Sequence, residues 1–245
     1  MSKYTDLLRR SLTGEIEQDD GLRMDSGRAG HFSHHIRDEG ADWPVKALTM
    51  IGGRRMHDLE SCVREVLRED VPGDLMETGV WRGGACILMR GILEDFGDLD
   101  RKVWVADSFE GLPPPDTEKY PADEGLDFHK IPQLAVSLSE VQDNFRRYAL
   151  LDKRVVFVKG WFRDTLPACD VEQLAVLRLD GDLYESTIIA LESLYPKLSI
   201  GGYLIIDDFA LPACELAVHH FRAKAGVMEA MVNVGVSMRW RKGKG

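Results

Sequence analysis

The sequence contains no apolar run long enough to cross a bilayer. Its amino terminus, Ser2-Lys3-Tyr4-Thr5-Asp6, opens a mixed charged segment without the apolar stretch of a secretory signal. Membrane insertion is set aside and a cytoplasmic location is expected. Cysteine is scarce: Cys62, Cys86, Cys169 and Cys214 are scattered without paired ligand spacing, which argues against a zinc site and against a disulfide framework. Positive charge is in deficit, with 31 Lys and Arg against 41 Asp and Glu and a formal net charge of -10. Nucleic-acid binding draws most of its affinity from phosphate neutralisation, so this balance disfavours it and favours a small-molecule partner. The basic tail, Arg239, Arg241, Lys242 and Lys244, is a local exception and reads as a solvated terminus. What remains is an ordinary globular composition, 44% hydrophobic over 245 residues, ample for one α/β domain with an appendage.

From about residue 70, short apolar runs bounded by Gly, Pro or Asp alternate with segments of helical period, the pattern of a parallel sheet covered by helices. Strands are predicted over Asp74 to Val80, Lys102 to Ala106, Val155 to Val158, Ala175 to Leu179 and Tyr203 to Ile206. Helices are predicted over Gly84 to Phe96, Leu138 to Leu151, Glu185 to Leu198 and Ala213 to Ala225. The alternation in Met228 to Arg241 suits an antiparallel hairpin at the sheet edge. Residues 1–70 are broken by glycines, and only Leu59 to Arg68 reads as a helix; this is an extension to the domain of residues 71–245. A long polar insertion, residues 112–132, lacks apolar period and is expected to act as a lid.

The first strand runs into Glu77-Thr78-Gly79-Val80-Trp81-Arg82-Gly83-Gly84. A dinucleotide fold would place G-x-G-x-x-G here, and that spacing is absent. An acid before the first glycine repels a pyrophosphate and suits the ammonium of a methionine moiety, which points to S-adenosylmethionine over NAD. The next strand ends in Asp107-Ser108-Phe109, where Asp107 is placed to take ribose hydroxyls, its alternative being a helix cap. Gly160-Trp161-Phe162 offers aromatic faces that could flank an adenine or simply belong to the core.

Two acidic pairs follow apolar strands: Asp180-Gly181-Asp182 and Asp207-Asp208. Neighbouring strands would bring these carboxylates together, and their mutual repulsion calls for a cation. All-oxygen ligands suit a hard divalent ion, with magnesium the natural candidate. The alternative is that Asp182 and Asp208 cap helices and face water. Methyl transfer to oxygen needs a nucleophile lined up with a sulfonium methyl, and Asp182 is placed as the general base that removes the hydroxyl proton.

With these residues together, the chain resembles the macrocin O-methyltransferase family, whose members modify sugars of macrolide and aminocoumarin antibiotics. The carrying segments are Asp42-Trp43-Pro44, Thr49-Met50-Ile51-Gly52, Glu77 to Gly84, Val105 to Phe109, Gly160-Trp161-Phe162, Asp180 to Thr187 and Asp207-Asp208. The resemblance implies a class I methyltransferase fold, a Rossmann-like α/β architecture with a seven-stranded, mostly parallel sheet and helices on both faces. It also implies cofactor contacts at Met50, Glu77, Thr78, Gly79, Asp107, Ser108, Gly160, Trp161, Phe162 and Asp180. It further implies magnesium on Asp180, Asp207 and Asp208, Asp182 as the base, a glycosylated small-molecule acceptor, and a homodimer or higher oligomer. Trp81 stands where the wider methyltransferase pattern has a glycine, a substitution that the family shares.

Two other functions compete: a catechol-type methyltransferase acting on a phenol, since the same cation geometry binds vicinal aromatic hydroxyls, and a non-catalytic adenosine-binding module. The second would be expected to lack one of the acids at 180, 182, 207 or 208, and all are present. His31, His34 and His35 read as loop histidines, His219 and His220 as structural, and His129 in the lid is left open.

Overall fold

A computed structural model describes residues 2–23 and 27–243. Met1 and residues 24–26 of the extension, and Lys244 of the basic tail with Gly245, lie outside the described residues.

The extension is richer than its glycines suggest. It holds α1 (Lys3–Leu12), β1 (Gly21–Arg23), β2 (Ala29–Gly30), α2 (His34–Glu39), β3 (Asp42–Pro44) and α3 (Gly52–Arg68). Helix α1 is started by the Ser2 hydroxyl, which accepts the Thr5 amide, and it buries Thr5, Leu8 and Leu12. Each buried leucine contributes roughly 1.5–3 kcal/mol to holding α1 on the domain. Helix α3 begins seven residues before the expected Leu59, because Gly52 and Gly53 mark close approach, not a break. A Cβ on Gly52, at φ +77°, would collide with the Arg37 carbonyl at the end of α2. The small sheet β2-β1-β3 is antiparallel.

The remaining chain runs β4 (Asp74–Thr78), α4 (Gly84–Phe96), β5 (Val103–Asp107), α5 (Leu138–Arg147), β6 (Val155–Lys159), α6 (Phe162–Thr165) and β7 (Leu174–Leu179). It continues as α7 (Tyr184–Leu194), β8 (Leu198–Ile206), α8 (Pro212–Ala225), β9 (Val232–Val234) and β10 (Ser237–Arg241). The main sheet has seven strands in the order β6-β5-β4-β7-β8-β10-β9, parallel except where β10 pairs antiparallel with β8 and β9. The edge hairpin is therefore where the alternating pattern put it. Pro196 ends the α7 segment early as a single 3₁₀ turn, Tyr195–Lys197, so β8 starts at Leu198 instead of Tyr203.

One face of the sheet, carrying Leu75, Val105, Val176 and Ile205, packs on α3 and α4, and α1 packs on those two helices. The other, carrying Met76, Leu177, Leu204 and Trp240, packs on α7 and α8. Strand order reverses between β4 and β7, which opens a crevice at their carboxyl ends. Among the described residues no helix is long and apolar enough to cross a membrane. The basic tail is not a free terminus. Arg239 pairs with Asp58 at 2.9 Å, Arg241 with Glu65 and Glu69, and Lys242 donates to the Tyr195 and Leu198 carbonyls.

Candidate functional site

The crevice is a cavity of about 650 Å³ at the carboxyl ends of the parallel strands. Met50, Glu77, Gly79, Asp107, Ser108, Gly160, Trp161, Phe162, Asp180, Asp182, Asp207 and Asp208 all line it. Thr78 does not: it is buried, its hydroxyl has no partner, and its carbonyl accepts the Asp180 amide at 2.9 Å. Sequence distance is removed by register, which pairs Glu77 with Arg178 and Arg178 with Ile205 across three neighbouring strands.

Oxygens of Asp180, Asp207 and Asp208 lie within 4.8 Å of one another, and these three form a candidate cation site. Beside them, Asp182 adopts φ +59° and its amide donates to Asp208 Oδ2 at 3.1 Å, so Asp208 is not a cap facing water. Burial pushes Asp208 well above the usual carboxylate range, reinforced by Asp182, Asp180 and Asp207. Burial and the charges of Asp180 and Asp207 push Asp182 up to about 7. Asp207 goes the other way: burial works against its charge, but the guanidinium groups of Arg178 and Arg55 outweigh burial.

Sequence reasoning missed both arginines. Arg178 is 1% exposed and holds Glu77, Asp180 (2.9 Å) and Asp207 (2.6 Å), one carboxylate from the end of each of three strands. Arg55, on α3, pairs with the second oxygen of Asp207 and donates to the Ile51 carbonyl at 2.8 Å. A signal was available for Arg178, since a charge inside the fully buried strand Leu-Ala-Val-Leu-Arg-Leu must have partners. Arg55 offered none, because α3 was expected to begin after it.

At the other end of the cavity, Gly79 sits at φ +81°, and a Cβ there would collide with the Asp180 carbonyl. The glycine is thus required by strand packing as well as by an open cavity wall. Glu77 lines the cavity with both oxygens engaged, one by Arg178 and one by the Cys86 thiol at 2.8 Å, and burial holds it up at about 7. Asp107 shapes the turn rather than a helix: it accepts the Val80 amide at 2.8 Å and the Phe109 amide at 2.7 Å. The turn also grips its surroundings. Trp81 donates to the Gln133 carbonyl at 2.8 Å, and Arg82 to the Pro44 and Ala47 carbonyls at 3.2 and 2.8 Å. Leu112, Pro113 and Phe128 of the insertion, and Trp43 and Met50 of the extension, form further walls. His219 pairs with Glu215, and His220 bonds the Tyr184 hydroxyl at 3.0 Å.

The chain presents a buried acidic cluster beside a glycine turn at a topological switch point, and it is similar to known proteins over nearly its whole length. The family model Macrocin-O-methyltransferase (TylF) matches residues 1–242. A demethyldecarbamoylnovobiocin O-methyltransferase of Streptomyces niveus is 49% identical over 236 residues, covering 95% of this chain and 90% of the relative. The 8-demethyl-8-(2,3-dimethoxy-alpha-L-rhamnosyl)-tetracenomycin-C 4'-O-methyltransferase of Streptomyces olivaceus is 47% identical over 240 residues, covering 97% and 92%. The solved structure of the O-methyltransferase NovP matches with a TM-score of 0.94 and 46% identity, with 98% of each chain covered. On the strength of that match and of its own sheet order, the chain belongs to the macrocin-O-methyltransferase family and is an S-adenosylmethionine-dependent O-methyltransferase of the class I fold.

Proposed function

We propose that the chain methylates a hydroxyl of a sugar carried on a natural product, with a magnesium ion held by Asp180, Asp207 and Asp208 and with Asp182 as general base. The observation that carries this reading is the convergence of the three carboxylates within 4.8 Å beside Asp182 on the cavity wall. The donor set is all oxygen, and the four carboxylates of Asp180, Asp182, Asp207 and Asp208 outnumber the two guanidinium groups of Arg55 and Arg178, both of which suit a hard divalent cation. Such an ion, when bound, supplies Lewis-acid polarisation of an acceptor hydroxyl.

The chain's own residues do the rest. Asp182, on the cavity wall beside the three carboxylates, takes the hydroxyl proton as the oxygen attacks the sulfonium methyl; the carbon–sulfur electron pair leaves with sulfur. Asp107 and Ser108 face the ribose, and Trp161 and Phe162 the adenine. Gly79 leaves room for the methionine moiety, whose ammonium meets the remaining lone pairs of Glu77. Met50 and the 112–132 segment cover the site and exclude water. The sugar acceptor is supported by the rhamnosyl 4'-O position in the name of the Streptomyces olivaceus relative. The family also suggests a homodimer, which analytical ultracentrifugation tests.

The first test is calorimetric titration with S-adenosylmethionine, followed by assays with magnesium and glycosides lacking one sugar O-methyl group, reading S-adenosylhomocysteine release. Metal-dependent release that is lost in Asp182→Asn supports the reading. Turnover only with phenolic acceptors overturns the sugar assignment, and release unaffected by chelator overturns the metal.

A further inference from the structure

Helix α7 follows directly on the loop that carries Asp182, yet its N-cap position is occupied by Leu183, whose side chain makes no cap bond. The cap comes from elsewhere. Asp123, in the 3₁₀ turn Pro121–Asp123 of the insertion, is 0% exposed, and both of its oxygens accept amides at the start of α7. Oδ1 takes the Tyr184 amide at 2.6 Å and Oδ2 the Glu185 amide at 3.0 Å, 61 and 62 residues along the chain. The Tyr120 and Tyr184 rings pack beside this contact with centroids 5.8 Å apart. Just past the far end of the same segment, the Trp81 indole donates to the Gln133 carbonyl, so the residue in place of the usual glycine has a bond to make. Between these two points runs Phe128, and Leu134 follows directly on the second; both are on the cavity wall.

We infer that Asp123 is a positioning residue for Asp182, and that the insertion is a strap latched by Asp123 to the start of α7 and by Trp81 to the cofactor turn. Asp182 sits two residues before the first capped amide in a left-handed conformation that a non-glycine side chain holds only when its surroundings fix it. Its fixed points are its own amide on Asp208, the Leu183 amide on the Gly181 carbonyl at 2.6 Å, which closes the turn around it, and the capped helix start. The strap and the geometry of the base are therefore one mechanical unit, and loosening the strap releases both. The significance given to Asp182 rests on the function proposed above; the latch itself does not.

Hydrogen exchange and limited trypsin cleavage of the whole chain, with S-adenosylmethionine bound, test the two latches. Asp123→Ala is expected to raise exchange at the Tyr184 and Glu185 amides about fivefold, in line with the loss of a side-chain cap, while later α7 amides keep their protection. Asp123→Asn, which keeps one acceptor oxygen, should fall between the two. Trp81→Phe should leave those amides alone and speed cleavage after the exposed Lys130 near Gln133. With demethyldecarbamoylnovobiocin as acceptor, Asp123→Ala should lower kcat while the KM for S-adenosylmethionine holds, and Asp123→Asn should restore part of the loss. Unchanged exchange in folded Asp123→Ala, or a rise spread evenly along α7, overturns the inference; if that variant does not fold, Asp123→Asn and Trp81→Phe decide. A wild-type chain that turns over no glycoside removes the proposed function and leaves the exchange result to stand alone.

Discussion

Replacing Arg178 by methionine removes the guanidinium that touches Glu77, Asp180 and Asp207 together, and keeps most of the side chain's volume. Because Arg178, Glu77 and Asp207 are almost fully buried, water replaces the lost partner poorly, and breaking such a pair costs about 3–5 kcal/mol. In a domain of this size each kcal/mol moves Tm by about 2–4 °C, so a fall of roughly 6–20 °C is expected. The stranded acids take up protons more readily than before, so the loss should be larger at pH 8 than at pH 5.5. Differential scanning fluorimetry across that range, backed by urea melts at both ends, measures it. A Tm within a few degrees of wild type, or a deficit that ignores pH, would show that Arg178 is not the counter-ion that holds the site together.

Asp182→Asn should reduce turnover by roughly 10²–10⁴-fold while calorimetry finds cofactor binding unchanged, as expected for loss of a general base. Gly79→Ala should weaken cofactor binding and lower Tm together, since the new methyl meets the Asp180 carbonyl at a φ that suits glycine; equal binding would refute this. Chelator should abolish methyl transfer and added magnesium restore it, read as S-adenosylhomocysteine release. The free chain should also lose stability as pH rises. Glu77 titrates at about 7 when folded against 4.5 ordinarily, so between those values the folded chain holds a proton that the unfolded chain has released. That contribution is complete below about 4.5 and gone above about 7, and Tm should fall across the window in the absence of ligands.

The parallel strands were legible because each is an apolar run closed by a turn, and β7 is buried along its whole length. The acids at 180, 182, 207 and 208 were legible for a related reason: they end such runs, and neighbouring strands had to bring them together. What escaped depends on long-range contact. Helix α1 carries only a short buried stripe, and Gly52 looks like a breaker until the Arg37 carbonyl is seen against it. Arg55 and Asp123 carry no local signature, because what defines them are partners 152 and 61 residues away. The tail was misjudged on charge alone, its acids lying on α3.

The grip of the cofactor turn on its surroundings has an evolutionary reading. Trp81 and Arg82 reach only main-chain oxygens, those of Gln133, Pro44 and Ala47. Every amino acid has that oxygen, so both flanking segments can change side chains without losing these attachments. Selection for a new acceptor can therefore rewrite the walls while the turn stays constant, and chimaeras that exchange residues 112–132 between relatives should keep a folded, cofactor-binding chain provided that Trp81 and an aspartate at 123 are retained.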